Sequence, residues 1–398
     1  MQRGEWRHRH RRRPLQRHEE RGGRRLRARA VGSPAVSARI KAPRYLSLDV
    51  LRGLTVALMI VVNTPGDWNH AYAQLLHAAW NGFTLTDWVF PTFLFAVGNA
   101  LAFVLPGYAA KGRGAVLARI GKRSGLIFLL GFLLYWFPFM SPLSETRIPG
   151  VLQRIGLCFG LASLLLYFWG QRGGLWFCVA ALLGYWALMT GYGDYTLAGN
   201  AGRQLDLWLL GEHHLYRGEG IAFDPEGLLG TLPATVNVIA GYFAGHLLVT
   251  RGHGRDTLVR LLAAGSVCIV LALCWNGVFP INKKLWTSSY VLLTVGLDLW
   301  LLSLLVWLIE VRGIRRGTYF FEVLGKNTLF IYLLSELAVI LLQRLTVGGK
   351  DGYSWLYATL FQGWGSPQAS SLLFAVAFML MCWTVGWLMD RRGIYVKV

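Results

Sequence analysis

Ten stretches of roughly twenty mostly apolar residues recur along the chain, about the length a helix needs to cross the hydrocarbon core of a bilayer. They fall at 46–64, 88–106, 119–137, 151–169, 175–191, 227–249, 258–278, 285–309, 319–345 and 370–389. No aqueous globule could bury ten such segments. In hydrocarbon each backbone N–H and C=O must be satisfied within the protein, so each stretch is expected to be helical. The predicted fold class is all-α, a polytopic bundle of about ten transmembrane helices. Composition agrees, with 54% hydrophobic and only 15% charged residues among 398; both figures lie far from a soluble average.

A formal net charge of +20 would ordinarily suggest a nucleic-acid partner, but its distribution argues otherwise. Residues 1–45 hold 15 Lys and Arg against 3 acids, and the remainder is only mildly basic. The chain therefore divides into a basic tail over 1–42, too polar to bury a core, and a membrane domain over 43–398. Three readings of the tail stay open: a polybasic arm drawn to anionic lipid, a nucleic-acid arm without aromatic interleaving, and a stretch preceding the true start. No nucleic-acid partner is expected. Basic residues gather in alternate loops (Arg113 to Arg123, Arg172, Arg251 to Arg260, Arg312 to Arg316, Arg391 and Arg392). By the positive-inside rule both termini are cytoplasmic.

Five cysteines lie in apolar stretches without a CxxC pair or a Cys/His ligand spacing, so no metal site is expected. Walker A, Rossmann, zincin and GxSxG patterns are absent in any credible context.

Ionisable residues cost at least about 2.5 kcal/mol at the centre of a membrane helix, so they mark places with a partner, water or a task. In the first helix Asp49 and Arg52 are three apart and share a face. Asn63 returns to that face about 21 Å further along. The next segment, HAYAQLLHAAWNGFTLTD, places His77 near Asp87 at the mouth of the bundle. Histidine is suited to take a proton near neutral pH or to be acylated itself, although a lone interfacial histidine is often merely wet. In RIPGVLQRIG, Arg147 and Arg154 flank Gln153 and are seven apart. On one helical face that spacing suits phosphates, or the neutralisation of acids from a neighbouring helix. In FDPEGLLGT, Asp224 and Pro225 read as a helix start, which leaves Glu226 less fully explained. In FPINKKLWT, Lys283 and Lys284 are expected on the outer surface, where they would attract an anionic group.

Taken in order, LSLDVLRG, VVN, HAAWNGFTLTDWVFPTFLF, RIPGVLQRIG, FDPEGLLGT, FPINKKLWT and GKNTLFIY resemble the catalytic domain of the heparan-alpha-glucosaminide N-acetyltransferase family, from about residue 45 to the C-terminus. The resemblance implies a ten-helix transmembrane acyltransferase domain with acetyl-CoA as donor and a glucosamine-type amine as acceptor. It places the active-site histidine on His77 and the active-site asparagine on Asn63, and it implies a homodimer. Arg147, Gln153 and Arg154 then become candidates for the donor, with Asp49, Arg52, Asp87, Glu226 and Lys283 along a polar path. Acetyl-CoA would stay on the cytoplasmic side of a bacterial inner membrane and the amino sugar or glycan would lie outside. Two other readings compete: an amino-sugar transporter, since a bundle with a polar core also suits transport, and a structural membrane subunit that makes no demand on His77.

Overall fold

The computed structural model describes residues 45–109 and 112–396; the basic tail, Lys111 and Lys397 lie outside them. Among the described residues the helical elements and one minimal hairpin follow in chain order: α1 Leu46–Asn63, α2 Leu85–Ala109, α3 Arg113–Trp136, α4 Val151–Gly191, α5 Ala201–Leu210, α6 Thr231–Arg251, α7 Arg255–Trp275, α8 Ser288–Val306, α9 Thr318–Lys326, α10 Thr328–Arg344, β1 Thr346–Val347, β2 Lys350–Asp351, α11 Gly352–Leu360 and α12 Pro367–Arg391.

Every expected stretch is mostly helical, with 319–345 divided between α9 and α10, and the count of spans by length and apolarity falls short of the expected ten. Among the described residues seven helices are long and apolar enough to cross a membrane, or eight if the bent pair α9–α10 makes one span. That count takes α4 once and leaves out α3. The stretches 151–169 and 175–191 are two helices within α4, divided at Gly170, whose φ of 62° ends the first; Arg154 of the first and Tyr185 of the second line one cavity, so the chain turns back there. Helix α3 carries Arg113, Arg119, Lys122 and Arg123 in its first half, which lowers its apolar character. The α9–α10 pair turns by 81° around Asn327.

Between membrane helices the hydrophobic drive that folds soluble proteins is weak, so close approach of backbones carries much of the packing. Helix α2 packs along α6, and α1 along α9. At both contacts glycines face backbone directly. A Cβ on Gly98 would collide with the Val238 carbonyl, and one on Gly241 with that of Phe95; Gly53 and Gly325 stand in the same relation to Phe321 and Asp49. Around these contacts lies a core containing Leu51, Val56, Leu94, Phe95, Ile239 and Leu302, all nearly inaccessible. Helix α7 leaves much of its surface uncovered, and Cys274 on it is exposed; of the other cysteines only Cys158 and Cys382 are fully buried.

The long loops meet at one end of the bundle. Trp80 donates through Nε1 to the Tyr195 carbonyl, at 2.8 Å, and Tyr353 through its hydroxyl to the Pro65 carbonyl, at 2.9 Å. Lys284 donates to the carbonyl of Ala79, and the backbone N–H of Gly82 to that of Ile281. Helix α1 runs from Asp49 at the opposite end to Asn63 at this one, which puts Asn63 where the loops converge.

Candidate active site

His77 is held by the start of α2. Thr84 and Asp87 stand as the first and fourth residues of a capping box: the Thr84 backbone N–H donates to Asp87 Oδ2 at 3.0 Å, and the Asp87 backbone N–H donates back to Thr84 Oγ1 at 3.4 Å. The Asp87 side chain also accepts from the Ala78 backbone, so one carboxylate folds the loop in front of the helix. Its second oxygen, Oδ1, lies 2.7 Å from His77 Nδ1. A carboxylate accepts only, so Nδ1 carries the proton and the lone pair is on Nε2.

The ring opens on one side to a cavity of about 70 Å³, whose lining includes Asn63, His77, Glu226, Lys283 and Tyr332. His77 is 42% exposed to that space while Asp87 behind it is only 1% exposed. Burial of the ring and the nearby Lys283 ammonium pull the imidazole below its ordinary value, outweighing the opposite effect of Asp87. The histidine is therefore neutral near neutral pH, with its basic nitrogen available.

Lys283 is fixed by a tightly bonded turn. Asn282 accepts from the Leu285 backbone at 2.8 Å and donates to Asn81 Oδ1 at 3.1 Å, which stitches this turn to the His77 loop. Lys283 Nζ lies 3.4 Å from Glu226 Oε1. Burial acts to raise the Glu226 carboxyl, but Lys283, Arg147 and Arg154 together outweigh it and hold the group at about 2. Asn63, exposed at the end of α1, reaches across to Glu336 on α10, with Nδ2 3.5 Å from Oε1.

Three expected residues take other roles. Arg147 precedes α4, so it shares no helical face with Arg154. Its guanidinium forks onto Asp224 (Nε to Oδ2 2.8 Å, Nη2 to Oδ1 2.7 Å), bonds Glu226 at 2.8 Å and lies between the rings of Tyr135 and Tyr216. It clamps the approach to α4 against the loop before α6, which leaves no open face for a phosphate. Gln153, 1% exposed, packs over Gly131 and Gly150. Arg154 is equally buried, donates to the Gly227 carbonyl at 2.7 Å and lies over the Trp286 ring. It lines a separate cavity of about 20 Å³, beside Asp206 and Lys284. Burial together with Asp224 raises the Asp206 carboxyl to about 7, against the pull of the Leu228 backbone N–H. Asp49 and Arg52 pair with each other at the far end of α1 and do not reach the His77 cavity.

The sequence of residues 44–277 settles the relationship. A model of the family described as heparan-alpha-glucosaminide N-acetyltransferase, catalytic, matches residues 44–277. The chain belongs to this family. It is 30% identical over 354 residues to the human heparan-alpha-glucosaminide N-acetyltransferase, covering 74% of this chain and 53% of the human one. To the mouse enzyme it is 29% identical over 362 residues, covering 75% and 54%. The chain spans about half the length of these curated relatives. His77, Asn63, Asp87 and Glu226 all fall within the matched catalytic region, whereas Lys283, Tyr332 and Glu336 lie beyond it.

Sequence reasoning passed over Tyr332, Glu336 and Asp298. For the two acids the signal was available, since each is a lone carboxylate within an apolar helix, the criterion that selected Asp49. Asp298 is fully buried and accepts at Oδ1 from Trp88 Nε1 at 2.8 Å and Thr92 Oγ1 at 2.7 Å. Among the described residues no three His, Cys, Asp or Glu side chains converge as metal ligands would.

Proposed function

We propose that this protein transfers an acetyl group from acetyl-CoA to the amine of a glucosamine-type sugar, with His77 as general base. The observation that carries the reading is the Asp87–His77 pair, which turns a neutral, oriented imidazole nitrogen into a polar cavity shared with Asn63, Glu226 and Lys283. In the proposed reaction the acceptor amine attacks the thioester carbonyl carbon and the C–N bond forms. His77 Nε2 takes the amine proton while Asp87 holds Nδ1–H and balances the imidazolium charge. The tetrahedral oxyanion needs donors, and the Asn63 amide and the Lys283 ammonium border the space where it would form. As the C–S bond breaks, the imidazolium returns its proton to the departing CoA thiolate. The same Nε2 lone pair would serve as nucleophile if the acetyl group passed first to the histidine.

We place acetyl-CoA on the cytoplasmic side of a bacterial inner membrane, the sugar on the outer face and both termini in the cytoplasm, following the basic loops. The cavity lining comes from the His77 end of the bundle, so a donor arriving from the Asp49 end must open a route past α1 and the bent α9–α10 pair. Arg52 and Asp49 would border its entrance. Each chain carries a complete set of these residues, so the implied homodimer adds no group to the chemistry.

The test is transfer from radiolabelled acetyl-CoA to glucosamine by purified protein in liposomes, with His77→Ala alongside wild type. Transfer by wild type that disappears in the variant supports the assignment. Equal transfer by both removes His77 from the chemistry, and transport of unmodified amino sugar by wild type without acetylation replaces the reading with a permease.

A further inference from the structure

Helix α3 carries a charge arrangement that the chemistry at His77 does not use. Arg113, Arg119, Lys122 and Arg123 stand in its first half, at the Asp49 end of the bundle. Among the described residues none of the four makes an ion pair or a hydrogen bond. The guanidiniums lie instead over aromatic rings: Arg113 over Phe168 at 5.1 Å, Arg119 over Tyr108 at 5.3 Å and Arg123 over Phe159 at 4.7 Å. Ten residues along α3 thus match nine back along the first half of α4. The two helices run antiparallel, and Arg123 sits about 15 Å further along α3 than Arg113. Its Nε is buried without a partner. Cations this far along a membrane helix ordinarily pair with an acid. The helices packed on α3 supply none: α4 has no Asp or Glu, and the single acids of α2 and α10, Asp87 and Glu336, are engaged with His77 and Asn63 at the other end. Arg119 also stands three and four residues from Lys122 and Arg123, so like charges adjoin on the helix surface. The cluster calls for a counter-anion from outside the chain.

The rest of this face specifies the anion. Arg119, Lys122, Leu126, Leu129 and Leu133 are spaced three and four apart, which puts them in one stripe along α3. Lys122, Leu126 and Leu129 are exposed on it. Beside the stripe, Gly121 and Gly125 carry no side chain, and a Cβ on either would meet nothing within 4 Å. The result is an open strip, cationic at one end and apolar from Leu126 onward, running about 16 Å from Lys122 to Leu133. Half the hydrocarbon core of a bilayer is about 15 Å thick. A phospholipid has the matching build, with a phosphate at one end and a chain of that length behind it. Arginines stacked on rings also keep their N–H edges free in the planar fork that suits phosphate. A soluble phosphate compound would leave the exposed leucines unused. A second copy related by a two-fold axis along the membrane normal would bring its own Arg119, Lys122 and Arg123 to the same level, cation against cation.

We infer that this face of α3 binds an anionic phospholipid, its phosphate held by Arg119, Lys122 and Arg123 and one acyl chain laid along Leu126 and Leu129. The test titrates the purified protein in detergent with dioleoyl-phosphatidylglycerol and, separately, with dioleoyl-phosphatidylcholine, and counts bound lipid by native mass spectrometry. Wild type is expected to bind the anionic lipid about tenfold more tightly or better. Lys122→Gln, at an exposed position, weakens that binding about fivefold, the ratio given by about 1 kcal/mol for one basic residue near an anionic surface. The triple variant Arg119→Gln, Lys122→Gln, Arg123→Gln loses the preference. A second triple variant, Arg312→Gln, Arg315→Gln, Arg316→Gln, removes the same charge from the exposed loop after α8 and keeps it.

Equal affinity of wild type for the two lipids overturns the inference. So does an equal loss in both triple variants, which would reduce the attraction to net charge. Two competitors test the source of the phosphate: inorganic phosphate and acetyl-CoA are each expected to leave the lipid bound, and displacement by either assigns the cations to a soluble phosphate instead. Leu126→Cys tests the remaining occupant. A disulfide between copies that wild type does not form, and that forms as readily with the lipid as without it, gives the face to a second subunit.

Discussion

The two ends of α1 carry comparable polar groups and use them in opposite ways. At one end Asp49 and Arg52, a turn apart, pair with each other, and Ser47 just before them donates through its backbone N–H and hydroxyl to Glu310, at 3.0 and 3.1 Å. At the other end Asn63 faces a cavity in which His77 has one nitrogen held by a carboxylate and the other left over. Charge alone does not distinguish a site from a structural pair. A local surplus of hydrogen-bonding capacity next to open volume does, because only such a group has something to offer a substrate. By the same criterion Arg147, despite its place in a prominent motif, belongs with Asp49 and Arg52: burial disfavours its charge, the bidentate Asp224 carboxylate more than restores it, and every direction of the fork is occupied.

The contrast predicts a graded series. The largest effect is expected from His77→Ala, with kcat for acetyl transfer lowered by about 10²–10⁴-fold, the usual contribution of a positioned base. Retention of wild-type kcat would erase the distinction between the two ends. Asp87→Asn comes next. It leaves the loop near its place but no longer demands a proton on Nδ1, and a loss of about a hundredfold in kcat is expected by analogy with other oriented histidines. Its thermal melting point should change much less than its rate, since an amide oxygen still accepts from the loop N–H groups.

A smaller and more diagnostic effect concerns pH. The reaction needs neutral His77, so activity falls as pH drops through the pKa of that group, which burial and Lys283 hold below the ordinary histidine value. Lys283→Met removes a positive charge that opposes protonation and leaves the Glu226 carboxylate, which favours it. The acid limb of the kcat/KM profile should therefore move to higher pH. A limb that stays in place would mean that a different group titrates in the profile. The smallest effect on rate is expected from Arg52→Ala at the quiet end. It removes one charge-assisted partner of the buried Asp49 and should cost about 1–3 kcal/mol of stability, visible as a lower melting temperature in detergent, with activity per folded molecule within about twofold. A stably folded Arg52→Ala that loses transfer would show that Arg52 contacts the donor rather than merely bordering its entrance.

Much of this was legible in the sequence, and for definite reasons. Each apolar stretch became helix because hydrocarbon leaves the backbone no other way to pair its polar groups. His77 and Asn63 stood out through the motif resemblance, and Asp87 stood near His77 at the mouth of the bundle. The span count was less legible. The stretches 151–169 and 175–191 are divided at Gly170 as read, whereas the basic first half of α3 and the bend at Asn327 bring the count by length and apolarity below ten. Arg147 and Arg154 were placed on one face by assuming a helix through Pro149 and Gly150, and the helix begins only at Val151.

What the sequence determined by itself was therefore the class: an all-α membrane bundle, its helical stretches, and membership of an acetyltransferase family, all of which depend on local composition and motif order. What only the tertiary structure decided was which polar residues have partners. Glu336 meets Asn63 across 273 positions and Arg147 meets Asp224 across 77. Pairings at that range follow from how helices stack and loops converge, and in a low-dielectric interior it is the pairing that determines whether a polar side chain is structural or left available for chemistry.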